Sequence, residues 1–226
     1  PGGAERGARD IRAWREYWAG LLMRADRVRA PSRDARQRIL RYFPEIEHIV
    51  TVDPHEPTIA APVQLREPRA RLRIGAIGAI GPIKGFDVLL ACARAARHAN
   101  RPIDFAVVGY TSNDNEARRA GITVTGAYRE EMLDTAIAQA DLDLLFLPSI
   151  CPETFSYALS GALRSGLPVA AFDLGAIAER LREAGQGTLI PLQRARDPSA
   201  LLDALQVAAW STPARHPPFD HGEMHG

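Results

Sequence analysis

From residue 71 to residue 210, apolar runs of strand length alternate with amphipathic stretches of helical period. No other feature of the 226-residue chain constrains the fold as strongly. Strands are predicted at 72–78, 105–109, 122–125, 142–147, 168–172 and 188–191, and helices at 85–99, 129–140, 154–165, 177–184 and 199–210. Runs such as Leu142 to Leu147 are apolar at nearly every position, so such strands are buried on both faces. The prediction is an α/β fold: a Rossmann-like parallel sheet with helices on both faces. Ligands of such sheets bind in the crevice beyond the carboxyl ends of the strands.

The first part of the chain has a different pattern. A helix is predicted at 10–24, with Ile11, Trp14, Trp18, Leu21 and Leu22 on one face, then a strand at 27–30. Ser32 is a predicted N-cap for a helix that closes before Pro44, and 49–52 reads as another strand. Residues 53–68 hold Pro54, Pro57, Pro62 and Pro68 without periodicity and read as a linker. The expected division is a partial α/β segment with its linker at 1–65, a main domain at 66–212 and a disordered Pro-, His- and Gly-rich tail at 213–226. The start at Pro1 rather than Met suggests a fragment or processed product.

A net charge of +1 offers no electrostatic footprint for nucleic acid. Two cysteines, Cys92 and Cys151, make neither a disulfide framework nor a metal-ligand spacing, which points to a reducing, cytoplasmic compartment. There is no signal peptide and no apolar stretch long enough to span a bilayer. Peripheral association with the inner membrane face is compatible with this.

Of the 28 Lys and Arg residues only Lys84 is a lysine. It lies in Gly78-Ala79-Ile80-Gly81-Pro82-Ile83-Lys84-Gly85, a glycine-punctuated turn after the first strand of the alternating region. Glycines let backbone amides approach an anion closely, and a following helix directs its positive end to the same place. An ammonium there could neutralise a diphosphate, although one lysine in a chain has to fall somewhere. The spacing fits neither a P-loop nor the dinucleotide fingerprint.

A second candidate is Pro148-Ser149-Ile150-Cys151-Pro152-Glu153-Thr154-Phe155-Ser156, between the most apolar strand and a helix. Glu153 could accept hydroxyl hydrogen bonds from a sugar. Equally, an acid in a first helical turn suits the helix dipole, and Thr154 could cap. Asp141-Leu142-Asp143 spells a metal-binding pattern but leads into a strand rather than ending one. Asp220, His216, His221 and His225 fall in the tail and read as solvated polar residues, and Cys151 has no neighbouring His to activate it.

From residue 72 to about residue 209 the chain resembles the C-terminal, donor-binding domain of GT-B glycosyltransferases of glycosyltransferase family 4. The resemblance rests on Gly78-x5-Lys84-Gly85, the Val107-Val108-Gly109 strand end, and Thr125-Gly126-Ala127-Tyr128. It rests most on Pro152-Glu153-Thr154-Phe155-Ser156 through Gly166-Leu167-Pro168-Val169-Ala170. Residues 1–65 resemble the last elements of the family's N-terminal domain, whose remainder carries much of the acceptor site.

The resemblance implies a retaining transferase that moves a sugar from a nucleoside diphosphate donor to a glycan or lipid-linked alcohol, with no metal or other cofactor. It implies catalytic roles for Lys84 and Glu153. Donor contacts would come from Gly78, Gly81, Lys84, Gly109, Ala127, Tyr128, Glu153, Thr154, Phe155 and Ser156. Three positions depart from the family pattern. Ala79 stands where Arg is usual beside the lysine, Gly161 where a second, ribose-holding Glu is usual, and Ser156 where Gly is commoner. These departures leave a non-catalytic, glycosyltransferase-like binding module as the competing reading. A nucleotide-sugar epimerase would need further acidic and His groups that the sequence does not offer.

Overall fold

The computed structural model describes residues 11–210, and tertiary contacts divide the chain into two compact units between Pro57 and Thr58. The predicted tail, with Asp220, His216, His221 and His225, lies outside the described residues.

The first unit contains α1 (Ile11–Leu22), β1 (Val28–Ala30), α2 (Arg33–Tyr42), a 3-10 turn (Pro44–Ile49) and β2 (Val50–Val52). β1 and β2 pair in parallel. The Ser32 hydroxyl accepts a hydrogen bond from Ala35 N at 3.1 Å, the capping expected for α2. Ala30, Ala35, Phe43, Ile46 and Val50 form the small core. α1 contributes no fully buried residue, and Trp14, Tyr17 and Trp18 are exposed along it.

The second unit is the expected α/β layer structure. Its elements are β3 (Leu72–Ile80), α3 (Phe86–His98), β4 (Ile103–Thr111), α4 (Asp114–Arg119), β5 (Ile122–Val124), α5 (Leu133–Gln139), β6 (Leu144–Leu147), α6 (Tyr157–Arg164), β7 (Val169–Phe172), α7 (Gly175–Glu183), β8 (Thr188–Ile190) and α8 (Pro198–Trp210). All six strands are parallel, in the order β5-β4-β3-β6-β7-β8. The chain winds outward from β3 in one direction, then returns to β6 and winds outward in the other. The order therefore reverses between β3 and β6, and the carboxyl ends of these two strands are where sheets of this kind bind ligands.

Side chains alternate across the sheet, as the period-2 geometry of a strand requires. In β6, Leu144 and Phe146 enter the core shared with α3 and α8, while Leu145 and Leu147 enter the core shared with α5, α6 and α7. Phe146 meets Phe172 of β7 edge to face, with centroids 5.5 Å apart. Each such fully buried side chain contributes about 2 kcal/mol through the hydrophobic effect.

Among the differences from the sequence reading, four have a clear local cause. β3 continues two residues past Gly78, because pairing with β4 runs to the register Ile80 with Thr111. α4 was not expected, although Asn113 accepts from Glu116 N at 3.1 Å in an ordinary N-cap. α6 begins at Tyr157 rather than at 154, since Ser156 takes a positive φ of 76° that breaks the helical path. Residues 58–65, expected with the first unit, hydrogen-bond to the second: Ala61 N donates to Leu163 O at 2.9 Å and Gln64 N to Gly166 O at 2.8 Å. These bonds satisfy carbonyls at and just beyond the end of α6 that its own backbone leaves free.

Candidate functional site

The turns that follow β3 and β6 are the two that the sequence singled out, and the topology places them side by side at the reversal of strand order. They are in direct contact. Ile150 N donates to Ile83 O at 3.1 Å, and a Cβ added at Gly85 would lie 2.1 Å from the Pro148 carbonyl oxygen. Gly85 adopts φ 84°, so glycine is required there both for conformation and for space.

This contact brings Lys84 and Glu153 together. Lys84 ends a 3-10 turn (Pro82–Lys84) just before α3, and its Nζ lies 3.7 Å from Glu153 Oε2. The other carboxylate oxygen, Oε1, accepts a hydrogen bond from the Ser149 hydroxyl. The carboxylate is therefore held on one side, while its cationic partner remains 39% exposed. At 3.7 Å the pair is a loose one, and it is the more exposed Lys84 that can turn to a ligand while Glu153, 19% exposed, stays on its Ser149 hydrogen bond.

The start of α6 displaces one interpretation of Glu153. The acid is not in the first helical turn but on the preceding bend, and its carbonyl accepts from Ala176 N of α7 at 3.0 Å. Thr154 is exposed, and Ser156 rather than Thr154 occupies the N-cap position, without a side-chain capping bond. The Ser156 hydroxyl is buried and has no hydrogen-bond partner.

Two features of this turn were not legible in the sequence. Ser149 was quoted there but given no role, and Arg180 of α7 was not singled out among the 27 arginines left when Lys84 is subtracted from the 28 basic residues. Arg180 is 3% exposed. Its Nη1 donates to the carbonyls of Phe155 at 3.3 Å and Ser156 at 2.8 Å, and its Nη2 to Ser160 Oγ at 2.8 Å. Nε reaches Thr58 Oγ1 at 3.2 Å, and the guanidinium lies 4.0 Å from the centroid of the Phe155 ring. No local pattern announces such a residue, because its partners are 20 to 122 positions away.

The other candidates reach the same end of the sheet through β4 and β5. Gly78 and Gly109 face each other in register, and a Cβ at Gly109 would lie 2.2 Å from Gly78 O. Close strand contact thus requires glycine at 109, while a Cβ at Gly78 would meet open space, and both residues lie in the ladder rather than in a loop. Gly126 N donates to Gly109 O at 2.8 Å, and Gly109 N donates to Thr125 Oγ1 at 2.9 Å, which seats the turn carrying Ala127 and Tyr128 over the end of β4. Tyr128 packs against the core of α5 and α6, and burial raises its phenol pKa above the ordinary value. Gly81 is extended and has open space at its Cβ.

Gly161 does not face an empty subsite. A Cβ there would lie 2.5 Å from Leu133 Cδ2, so the Leu133 side chain of α5 occupies the space a side chain would take. Ala79 pairs with Tyr110 in the next-to-last register position of the β3–β4 ladder.

Asp141 and Asp143 are at the opposite, amino end of β6. Asp141 binds Arg66, Arg69 and Arg73, and Asp143 accepts from Arg73 N at 2.9 Å. The guanidinium groups of Arg69 and Arg66 hold the Asp141 carboxyl well below the usual carboxylate range. Among the described residues, no group of three or more His, Cys, Asp or Glu side chains is arranged to hold a metal ion.

The family model of the group 1 glycosyl transferases matches residues 71–208. The chain belongs to this family. Its matched region is the whole parallel sheet with its helices, including both turns that carry Lys84 and Glu153. Among curated relatives of the family, the chain is 32% identical over 127 residues to the phosphatidyl-myo-inositol mannosyltransferase of Mycobacterium leprae, which covers 55% of the chain and 33% of that protein.

Solved structures show the same fold at lower identity. TarM of S. aureus, crystallised as a variant with fondaparinux, alpha-GlcNAc-glycerol and UDP, superposes with a TM-score of 0.63 at 18% identity, covering 86% of this chain and 40% of TarM. HepE of Anabaena, in complex with UDP-glucose, gives 0.59 at 16% identity, covering 87% of this chain and 59% of HepE. Both likenesses are of the fold, a Rossmann-like GT-B domain. The chain thus spans less than two thirds of the length of each of these proteins.

Proposed function

We propose that the chain is the donor-binding part of a retaining glycosyltransferase that moves a sugar from a nucleoside diphosphate sugar to an alcohol on a glycan or lipid-linked acceptor. The observation that carries this reading is the pairing of Lys84 with Glu153 at the reversal of strand order. One cation and one carboxylate, adjacent to each other, match the two parts of a donor: an anionic leaving diphosphate and neutral sugar hydroxyls that donate hydrogen bonds.

When the donor enters, Lys84 turns to the diphosphate and meets the negative charge that grows on it as the glycosidic bond breaks. Preorganised charge in a site that excludes water can lower such a barrier by several kcal/mol, on the order of 3. Glu153, fixed by the Ser149 hydroxyl, accepts hydrogen bonds from donor-sugar hydroxyls. Backbone amides around Thr154, Phe155 and Ser156 flank the sugar and phosphate, and backbone groups near Ala127 and Tyr128 take the base. The reaction needs no metal in this reading, because Lys84, amides and helix dipoles supply the positive charge.

The first unit is then the end of an acceptor-side domain. Its two-stranded parallel sheet is far smaller than a free-standing parallel sheet. Cytoplasmic location, with peripheral attachment at the membrane, suits a lipid-linked acceptor; no described helix is long and apolar enough to cross a membrane.

A binding module without catalysis is the second reading. Ala79 supplies no second cation, and Leu133 fills the space beside Gly161. Calorimetric titration with UDP and GDP, with and without EDTA, tests the two against what binds at all. Binding of one nucleotide, unaffected by EDTA and weakened about ten-fold by Lys84→Ala, is expected. No binding at millimolar nucleotide would remove the donor-site reading. Equal binding by Lys84→Ala would remove the role assigned to Lys84.

A further inference from the structure

We propose that Arg180 is a positioning residue of the donor site, holding the 153–156 bend so that its amides are presented to the second phosphate of the donor. The inference rests on the donor-site reading above. A buried guanidinium needs several acceptors to offset its desolvation, and here the acceptors are carbonyls of the functional turn itself. Arg180 takes the carbonyls of Phe155 and Ser156 with one nitrogen, and Ala176 N takes the carbonyl of Glu153.

The described backbone contains no cis peptide. In a trans peptide the C=O and N–H groups point in opposite directions. Drawing the carbonyls of residues 153 and 155 toward α7 therefore turns the N–H groups of Thr154 and Ser156 away from it. The Ser156 hydroxyl, buried and without a partner, belongs to the same bend. Ser156 is at the N-cap of α6, so the positive end of the helix dipole falls on the same bend. The outward amides of Thr154 and Ser156, with a hydroxyl donor, make an anion receptor, and Lys84 is the adjacent ammonium.

The positive φ of Ser156 fits the same account. A non-glycine residue holds φ 76° only when its surroundings impose it, and Arg180 imposes it by fixing the carbonyls on both sides. The guanidinium is itself anchored at Ser160 Oγ and Thr58 Oγ1 and stacked on Phe155. Lysine at 180 would keep the charge but could not form this fork.

The experiment compares a nucleoside diphosphate with its monophosphate, using whichever of UDP or GDP the wild-type chain binds. Arg180→Lys is expected to weaken the diphosphate about ten-fold while leaving the monophosphate nearly unchanged. A role confined to stability would lower both together or neither. A folded Arg180→Lys chain with wild-type preference for the diphosphate would overturn the proposal, and so would a parallel loss for both nucleotides.

Should Arg180→Lys fail to fold, the double variant Thr58→Val/Ser160→Ala keeps the arginine and loosens its anchors. It is expected to weaken the diphosphate selectively, by about three-fold, and unchanged binding would equally overturn the proposal. Absence of nucleotide binding by the wild-type chain is a different result, which removes the donor-site reading and this proposal with it.

Discussion

Gly85 and Pro148 are so close that a methyl group on the first would lie 2.1 Å from the carbonyl oxygen of the second. This contact is what seats the Lys84 turn against the Glu153 turn. Gly85→Ala should therefore destabilise the fold by at least about 2 kcal/mol, combining the left-handed φ with displacement of backbone. Gly81→Ala, in extended backbone with open space at its Cβ, is the control, and should change stability by less than about 0.5 kcal/mol. Urea unfolding of both variants checks the contrast.

Ser156 carries backbone strain that glycine would not. Ser156→Gly is expected to raise the unfolding free energy by about 0.5 to 1 kcal/mol, even though glycine loses more chain entropy on folding. Thermal unfolding followed by circular dichroism measures it. A loss of stability would show instead that the buried hydroxyl contributes more than the strained φ costs.

Cys92 and Cys151 should separate cleanly in a thiol titration. Cys92 is buried in α3 and burial pushes its thiol up to about 12, whereas Cys151 is exposed two residues before Glu153. A disulfide reagent should modify one cysteine in the native chain and both in denaturant. Bound nucleoside diphosphate should slow the native reaction, and labelling insensitive to nucleotide would place the ligand elsewhere.

Asp141 couples stability to acid pH. Its carboxyl is depressed below the ordinary 3.8 by hydrogen bonds from Arg69 and Arg66, so the unfolded chain takes up the proton first. The contribution is fully present above that ordinary value and is lost as pH falls through the lower, folded value. Asp141→Asn, which tolerates the residue's positive φ of 50°, should lower the urea midpoint at pH 7. The gap from wild type should close as pH is taken below 3.8. A gap that persists in acid would mean that the carboxylate charge is not its source.

The sequence alone determined the layer architecture and the two turns that matter. Strand and helix periods are local properties, written in which residues are apolar at spacing two or near four, and Lys84 and Glu153 follow strands because Gly and Pro end those strands. Their meeting at 3.7 Å was decided by the strand order, which no local period encodes.

The tertiary structure alone decided three further points. Helix α6 starts at Tyr157 because carbonyls bound by Arg180 hold Ser156 at a positive φ, overriding the helical pattern of residues 154 to 156. Residues 58–65 join the second unit because it offers them carbonyls at and beyond the end of α6. Arg180 is buried because distant oxygens and a ring face offset its desolvation. Each depends on contacts between residues far apart in sequence, and such contacts exist only once the sheet has brought its strand ends together.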